Sequence, residues 1–297
     1  SPALIKEALR DAARHTQQLT GTMLRANQVQ SDRYAIKTMA DLYAVMGDKV
    51  TPAQAHNAKA KPVEPYFNYL NTHCCIRCNN WSGFGITSDP NRQPNSDALN
   101  RMRHSFPDEA GLMAQIHEMM RLERMSKHDA YIAGCDDLRP ERRLPLSRES
   151  YLLNFGAETG FKNVLEGCGL RPTILGKKRD YDCFDITFRD YASERWTVKY
   201  DPEDLHEVLA VSEDGTRRYM LEEKYVQPMA LADRTEADNR ELQRARAYNK
   251  QLEARTAERL ALSYQQAEQL ISGTPSLRGS IEDRLLVTDS RGQHKDN

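Results

Sequence analysis

Nothing in this 297-residue sequence stays apolar for long enough to cross a bilayer. With a mean hydropathy of -0.75 and no charged, apolar, small-residue leader at its start, the chain is expected to be soluble and cytoplasmic, with no membrane partner. Cysteine is also scarce. Cys74, Cys75, Cys78, Cys135, Cys168 and Cys183 are too few to staple a chain of this size, so reduced thiols are expected. Net charge is nearly absent, at -1, and by itself points to no nucleic-acid partner.

What is present is charge sorted along the chain. Residues 139–179 hold nine Lys/Arg against four Glu, and residues 180–223 hold five Lys/Arg against thirteen Asp/Glu. The first stretch suits a phosphate backbone and the second does not. The length exceeds what one hydrophobic core usually serves, so two compact domains and an extension are expected. The first residue is Ser1 rather than methionine, which suggests a piece of a longer chain.

Periodicity divides the sequence into three parts. Residues 3–18 have helical spacing, with Leu4, Ala8 and Ala12 beside Ile5 and Leu9, and Gly21 can end the helix. A short strand in residues 23–30, a helix from 34 to 46 stopped by Gly47, and a second strand around "DKVTPA" follow, which is the order of an α/β layer. Residues 79–97 are rich in Gly, Pro, Asn and Ser and predict a long loop. Residues 108–134 return to helix, with Leu112, Ile116, Met119, Met120 and Leu122 as a buried stripe, and 138–150 has the composition of a basic linker. From 151 to 228 the period is two. "CFDITFR" and "RWTVKY" read as strands, and an Asp214-Gly215 turn joins two more, which suggests a small barrel or sandwich. Residues 233–270 predict a long helix with a thin seam of Leu242, Ala245, Leu252, Leu260 and Tyr264, and the last two dozen residues predict a frayed end.

The chemistry centres on "NAKAKPVEPYF", residues 57–67. Pro62 suits the start of a helix, and Val63, Phe67, Leu70 and Cys74 then recur on the face expected to meet the core. Glu64 falls in the first turn, where the macrodipole favours an anion, with Asn68 and Asn71 on the adjoining polar face and Lys59 and Lys61 on the approach. Asp32, in "QVQSDRY", ends the predicted first strand, where α/β sheets gather functional groups. Two carboxylates on neighbouring elements can hold Mg²⁺ or Mn²⁺ for in-line attack on phosphorus. The same residue types also serve as a helix cap and a dipole partner, and spacing alone leaves both readings open.

Taken together, "VQSDRY" and "NAKAKPVEPYF" resemble the second and third acidic positions of the DDE recombinases, and "AKPVE" looks like the phage Mu transposase group. Downstream, "VKYDPEDLHEVLAVSEDG" and the helical stretch after it are similar to the β-barrel and tail of Mu-type transposases. The resemblance spans roughly residues 5–258. It implies a partial RNase H-like core over 1–137, a β-barrel over 138–230 and a helical tail over 231–297. It further implies that Asp32 and Glu64 are catalytic metal ligands and that Asn57, Lys59 and Lys61 lie against DNA. The activity implied is metal-dependent 3′-end nicking and strand transfer by a homo-oligomer on DNA near the nucleoid, with an AAA+ ATPase as a further partner of the tail. Two departures stand out. Asp32-Arg33-Tyr34 replaces the Asp-Asn-Gly of many relatives, and no first aspartate is found upstream of Asp11, which falls inside the opening helix. The chain alone is therefore expected to be inactive.

The remaining candidates are weaker. The Cys75-x₂-Cys78 pair has no second pair at zinc-site spacing, so unreactive thiols are the simpler reading. "CDD" at 135–137 suits a helix end. Trp81 and Phe84 could stack on an unpaired base or pin the loop to the domain. Arg142, Arg143, Lys177, Lys178 and Arg179, with Arg139 and Arg148, are the candidates for phosphate contacts, and with Asn68 and Asn71 they complete the expected DNA-binding set. Alternatives are a non-catalytic DNA-binding or assembly module, and a retroviral-type integrase or other RNase H-like nuclease.

Overall fold

The computed structural model describes residues 2–31, 37–52, 63–81, 83, 95–167, 169–273, 287–288 and 294–295. Helix and sheet are mixed, in two compact units that divide between Ala157 and Glu158.

The first unit opens with α1 (Pro2–Thr20). Its inward stripe is Ile5, Leu9 and the fully buried Ala13, at spacing four, whereas Leu4 is 66% exposed. The expected pairing of Leu4, Ala8 and Ala12 is therefore one residue out of phase. Gly21 ends the helix at φ +77°, its N–H donating to Gln17 O at 2.8 Å, the left-handed stop that glycine adopts at least cost. The Leu24 N–H donates back to Thr16 Oγ1 at 2.9 Å, turning the chain into β1 (Leu24–Ser31).

Strand β1 runs parallel to β2 (Gly47–Pro52), in register from Ala26 opposite Gly47 to Ser31 opposite Pro52, with α2 (Ala40–Met46) between them in sequence. Gly47 is needed where the strands meet, because a Cβ there would lie 2.7 Å from Val29 Cγ2. The expected strand-helix-strand order is thus present, its helix shorter than the predicted 34–46 and with residues 32–36 outside the described set.

Residues 138–150 are not a linker between domains. Leu144 and Pro145 form β3, antiparallel to the start of β1, and the Leu146 N–H donates to Met23 O at 2.9 Å. Helix α6 (Arg148–Phe155), capped by Ser147, then packs on α1 and α2 and buries Tyr151, Leu152 and Phe155 completely or nearly so. Each such side chain contributes about 1.5–3 kcal/mol. The boundary therefore falls after α6, not at 137.

Helices α3 (Val63–His73), α4 (Ser96–Met102) and α5 (Glu109–Asp136) complete the unit. Asn95 and Asp108 cap α4 and α5, the latter accepting from Gly111 N at 2.8 Å. The apolar stripes expected to be buried here are not. Val63 and Phe67 are 51% and 61% exposed, and Leu112, Ile116 and Leu122 are exposed as well. On α5 the buried residue is Glu123. "CDD" ends α5 as expected, with Asp137 as its C-cap.

The second unit is built on a sheet of order β4-β9-β10-β11-β8: β4 (Ala157–Glu158), β9 (Arg195–Asp201), β10 (Asp204–Ser212), β11 (Arg218–Glu223) and β8 (Tyr181–Asp182). Strand β5 (Asn163–Val164) pairs with β9, and β6 (Thr173–Ile174) with β7 (Lys177–Lys178) form a separate hairpin. Trp196, Val198, Val208, Ala210 and Leu221 fill the core with Phe188, whose ring centroid lies 5.2 Å from that of Trp196. The predicted turn is present: Gly215 has φ +72°, and Asp214 accepts from Thr216 Oγ1 at 2.7 Å.

Among the described residues β4 and β8 do not pair and no barrel closes. One segment expected as a strand, "CFDITFR", adds none to the sheet. Asp185 accepts from Thr187 N at 2.8 Å and starts a 3-10 helix, Ile186–Tyr191, so Phe188 enters the core from a helix. Apolar residues two and four apart fit either period, and the cap decides.

The long tail helix α7 (Glu236–Gly273) is confirmed. Leu242, Ala245, Tyr248 and Leu252 face the sheet module, but the seam stops there, and Leu260 and Tyr264 are 54% and 74% exposed. Of the last residues only β12 (Val287–Thr288) and β13 (His294–Lys295) are described, as an antiparallel pair.

Candidate functional site

The two strand ends define where the chemistry is expected. Strands β1 and β2 are parallel, so Ser31 and Pro52 close the same edge of the sheet, the edge where α/β folds gather functional groups. Asp32 is the next residue after Ser31, and it lies outside the described residues, as do Asn57, Lys59, Lys61 and Phe84. At the edge itself Ser31 Oγ is buried without a hydrogen-bond partner.

Glu64 stands exposed in the first turn of α3, the end at which the macrodipole favours an anion, although Pro65 in the same turn has no N–H to offer. One turn further on, Asn68 is exposed and its carbonyl accepts from Thr72 Oγ1 at 2.8 Å. Asn71 is differently employed: its Oδ1 accepts the Trp81 indole N–H at 2.7 Å. Trp81 itself is thus tied back to α3. Its backbone N–H also donates to Cys78 O at 3.1 Å.

The structure adds a carboxylate that sequence reasoning missed. Glu123 of α5 is 8% exposed, and its Oε2 accepts from the Tyr69 hydroxyl of α3 at 3.2 Å. That hydrogen bond, and the carboxylate charge, raise the Tyr69 phenol above its ordinary value. Burial, then the same charge, raise Tyr66. No motif marks Glu123, because its burial depends on a helix distant in sequence.

The basic candidates separate by what they touch. Arg143 donates to Asp136 O at 2.6 Å and Leu138 O at 3.1 Å, closing the C-terminal end of α5. Arg142 is exposed beside a polar cavity of about 470 Å³ lined also by Asn27, Gln28, Asp48 and Lys49, and its carbonyl accepts from Asn27 Nδ2 at 3.0 Å. Arg148 lies over the Tyr151 ring at 5.3 Å. In the second unit, Arg179 pairs with Glu223 at 2.6 Å. Lys177 and Lys178 are exposed on β7, just after a two-residue turn in which Leu175 and Gly176 take φ +50° and +77°.

A cleft of about 390 Å³ lies between the second unit's sheet and α7. At its floor Arg189 donates to Tyr248 Oη at 3.2 Å and Glu166 O at 3.1 Å and pairs with Asp182. Arg244 covers the Phe184 ring at 3.9 Å, and burial pushes the Cys183 thiol up to about 11. All three nitrogens of the Arg189 guanidinium are thereby engaged within the unit, so the cleft is held by its own network.

No family model matches this chain, and no curated protein matches it. The site therefore rests on its own residues. Among the described residues no three His, Cys, Asp or Glu gather to hold a metal ion, and no helix is long and apolar enough to cross a membrane. Of the two expected ligands, Glu64 is at a helix start as predicted, while Asp32 falls outside this description.

Proposed function

We propose that the chain is the part of a Mu-type DDE recombinase that carries the second and third acidic positions, Asp32 and Glu64, in a partial RNase H-like core. The observation that supports it most is the parallel β1–α2–β2 unit. It ends one strand immediately before Asp32 in sequence and is followed by a helix with Glu64 in its first turn. Two carboxylates are the donor type that Mg²⁺ or Mn²⁺ takes. When bound, such an ion polarises a phosphate and lowers the pKa of a bound water.

On this reading Asp32 and Glu64 would hold the ion, and the Asn68 amide and the positive end of the α3 dipole would orient a phosphate beside it. Lys59 and Lys61 draw the DNA backbone toward that helix end. The reaction is 3′-end nicking followed by attack of the freed hydroxyl on target DNA. A homo-oligomer on DNA, and an AAA+ ATPase engaging the tail, belong to the same reading.

Mn²⁺ titration calorimetry of the chain and of Asp32→Ala, Glu64→Ala and the double variant tests it. Two ligands of one ion lose binding together, so each single change should weaken Mn²⁺ as much as the double one does. Binding left intact by Glu64→Ala would sink the proposal.

A second reading, an assembly module without chemistry, is favoured by the exposed apolar side chains of α5 and of the far half of α7. It predicts DNA binding unaffected by either acid.

A further inference from the structure

The short turn after α3 brings two thiols into a relationship that their spacing in sequence does not reveal. Residues Cys75–Arg77 form a single 3-10 turn, closed by the Cys78 N–H donating to Cys75 O at 2.9 Å. In a 3-10 turn, side chains three apart eclipse one another, and three steps of about 2.0 Å put their Cα atoms about 6 Å apart. A disulfide needs Cα atoms roughly 4.4–6.8 Å apart and Cβ atoms about 3.5–4.5 Å apart, so the Cα spacing is met by the turn and the two side chains close the rest by leaning together. An α-helical turn would set these residues about 60° apart in azimuth; the tighter turn removes that offset.

The surroundings hold this geometry in place from both sides. The Cys74 N–H donates to Leu70 O at 2.9 Å, continuing the ladder of α3, and the Arg77 N–H donates to Cys74 O at 3.1 Å. Beyond the turn the Trp81 N–H donates to Cys78 O at 3.1 Å, and its indole donates to Asn71 on α3 at 2.7 Å. Cys75 and Cys78 are both free and half-buried, and Ile76 and Arg77 between them are exposed, so a small reagent can approach from the loop side. Burial and the neighbouring Cys78 and Cys74 raise the Cys75 thiol.

We propose that Cys75 and Cys78 form an oxidisable dithiol that closes to an intramolecular disulfide by exchange with a low-molecular-weight disulfide. One thiolate attacks a sulfur of the reagent, forming a mixed disulfide and releasing one reduced thiol. The second protein thiolate then attacks the mixed disulfide and releases the other. The two protein thiols lose two electrons and two protons, and one reagent disulfide becomes two thiols. Cys74 takes no part, because it sits outside the turn as its N-cap, with φ -109° and ψ -63°. The product staples the end of α3 to the segment that leads to Trp81. This site is independent of the metal reading, since neither Asp32 nor Glu64 belongs to it.

The test equilibrates the full chain in mixtures of oxidised and reduced glutathione, traps free thiols with N-ethylmaleimide, and maps peptides with a protease that does not cut at Arg77. The expected result is concerted loss of labelling at Cys75 and Cys78, with their shared peptide lighter by two hydrogens and without glutathione at equilibrium. Cys74→Ser should preserve this, and Cys75→Ser or Cys78→Ser should leave a lasting glutathione adduct on the remaining partner. Labelling of both thiols at every ratio, a disulfide that includes Cys74, or one that joins two copies would each overturn the assignment. The unsubstituted chain decides the question even if a variant fails to fold.

Discussion

Tyr69 of α3 donates its phenolic hydrogen to the buried Glu123 carboxylate of α5, 3.2 Å away. This contact joins the helix bearing Glu64 to the longest helix of its unit, in a region where few apolar side chains are covered. The bond and the carboxylate charge raise the Tyr69 phenol above its ordinary 10.0. A group raised in this way supports the fold while protonated. Its contribution is complete below pH 10 and is lost as the pH climbs through the raised value. Glu123→Gln should bring one tyrosine back toward ordinary titration, read from tyrosinate absorbance against pH. Superimposable curves for the two proteins would show that the contact carries no energetic coupling.

Asp238, near the start of α7, accepts the Thr235 N–H and hydroxyl at 2.6 Å each and the Tyr225 hydroxyl at 2.6 Å. Those bonds, Thr235 first, hold its carboxyl down to about 2 against an ordinary 3.8. The stabilisation is present above pH 3.8 and disappears as the pH falls toward 2. Asp238→Asn should flatten the acid end of the helical circular-dichroism profile between those limits. A variant that melts with the same acid dependence as the original chain would count against the cap.

Lys177 and Lys178 lie exposed on a tight hairpin, whereas the neighbouring Arg179 is engaged with Glu223 at 2.6 Å. If the chain binds DNA as proposed, exchanging both lysines for glutamate should lower the salt slope of that binding by about 1–2, at roughly one for each phosphate no longer neutralised. Arg179→Ala should instead act on stability, by about 1 kcal/mol or less for a partly solvated pair. Fluorescence anisotropy across a salt series separates the two, and an unchanged slope in the double lysine variant would remove this hairpin from the proposed DNA contacts.

How much of this could be foreseen depends on the range of the forces involved. The start of α5 at Asp108 and the stop of α1 at Gly21 were legible, because each acts within its own turn, whereas the Ser147 cap of α6 lay in a stretch that reads as a linker. The Asp214-Gly215 hairpin was legible for the same reason, and the order of strand, helix and strand from the spacing of apolar residues. The destination of an apolar face was not. Phe67 and Leu112 have the spacing of core residues and remain exposed, while Tyr151 and Phe155, in a stretch that reads as linker followed by sheet, fill a core. Which face finds a partner is settled by chain segments far away, and a single sequence carries no record of that choice. The candidate site divides likewise. Glu64 at its helix start follows from local chemistry, but Glu123 becomes a buried acid only through Tyr69, 54 residues earlier.

The long final helix is gripped near its beginning and bare towards its end. Tyr248 is 9% exposed, and Tyr264 is 74% exposed. Sixteen residues of helix separate them, a span of about 24 Å, and Arg255 and Arg259 still pair with Asp190 of the sheet module on the way, so the stretch beyond Arg259 extends like a lever whose fulcrum is that module. Whatever grips Leu260 or Tyr264 does so without disturbing the packing at Tyr248, and substitutions at the two ends should have additive effects.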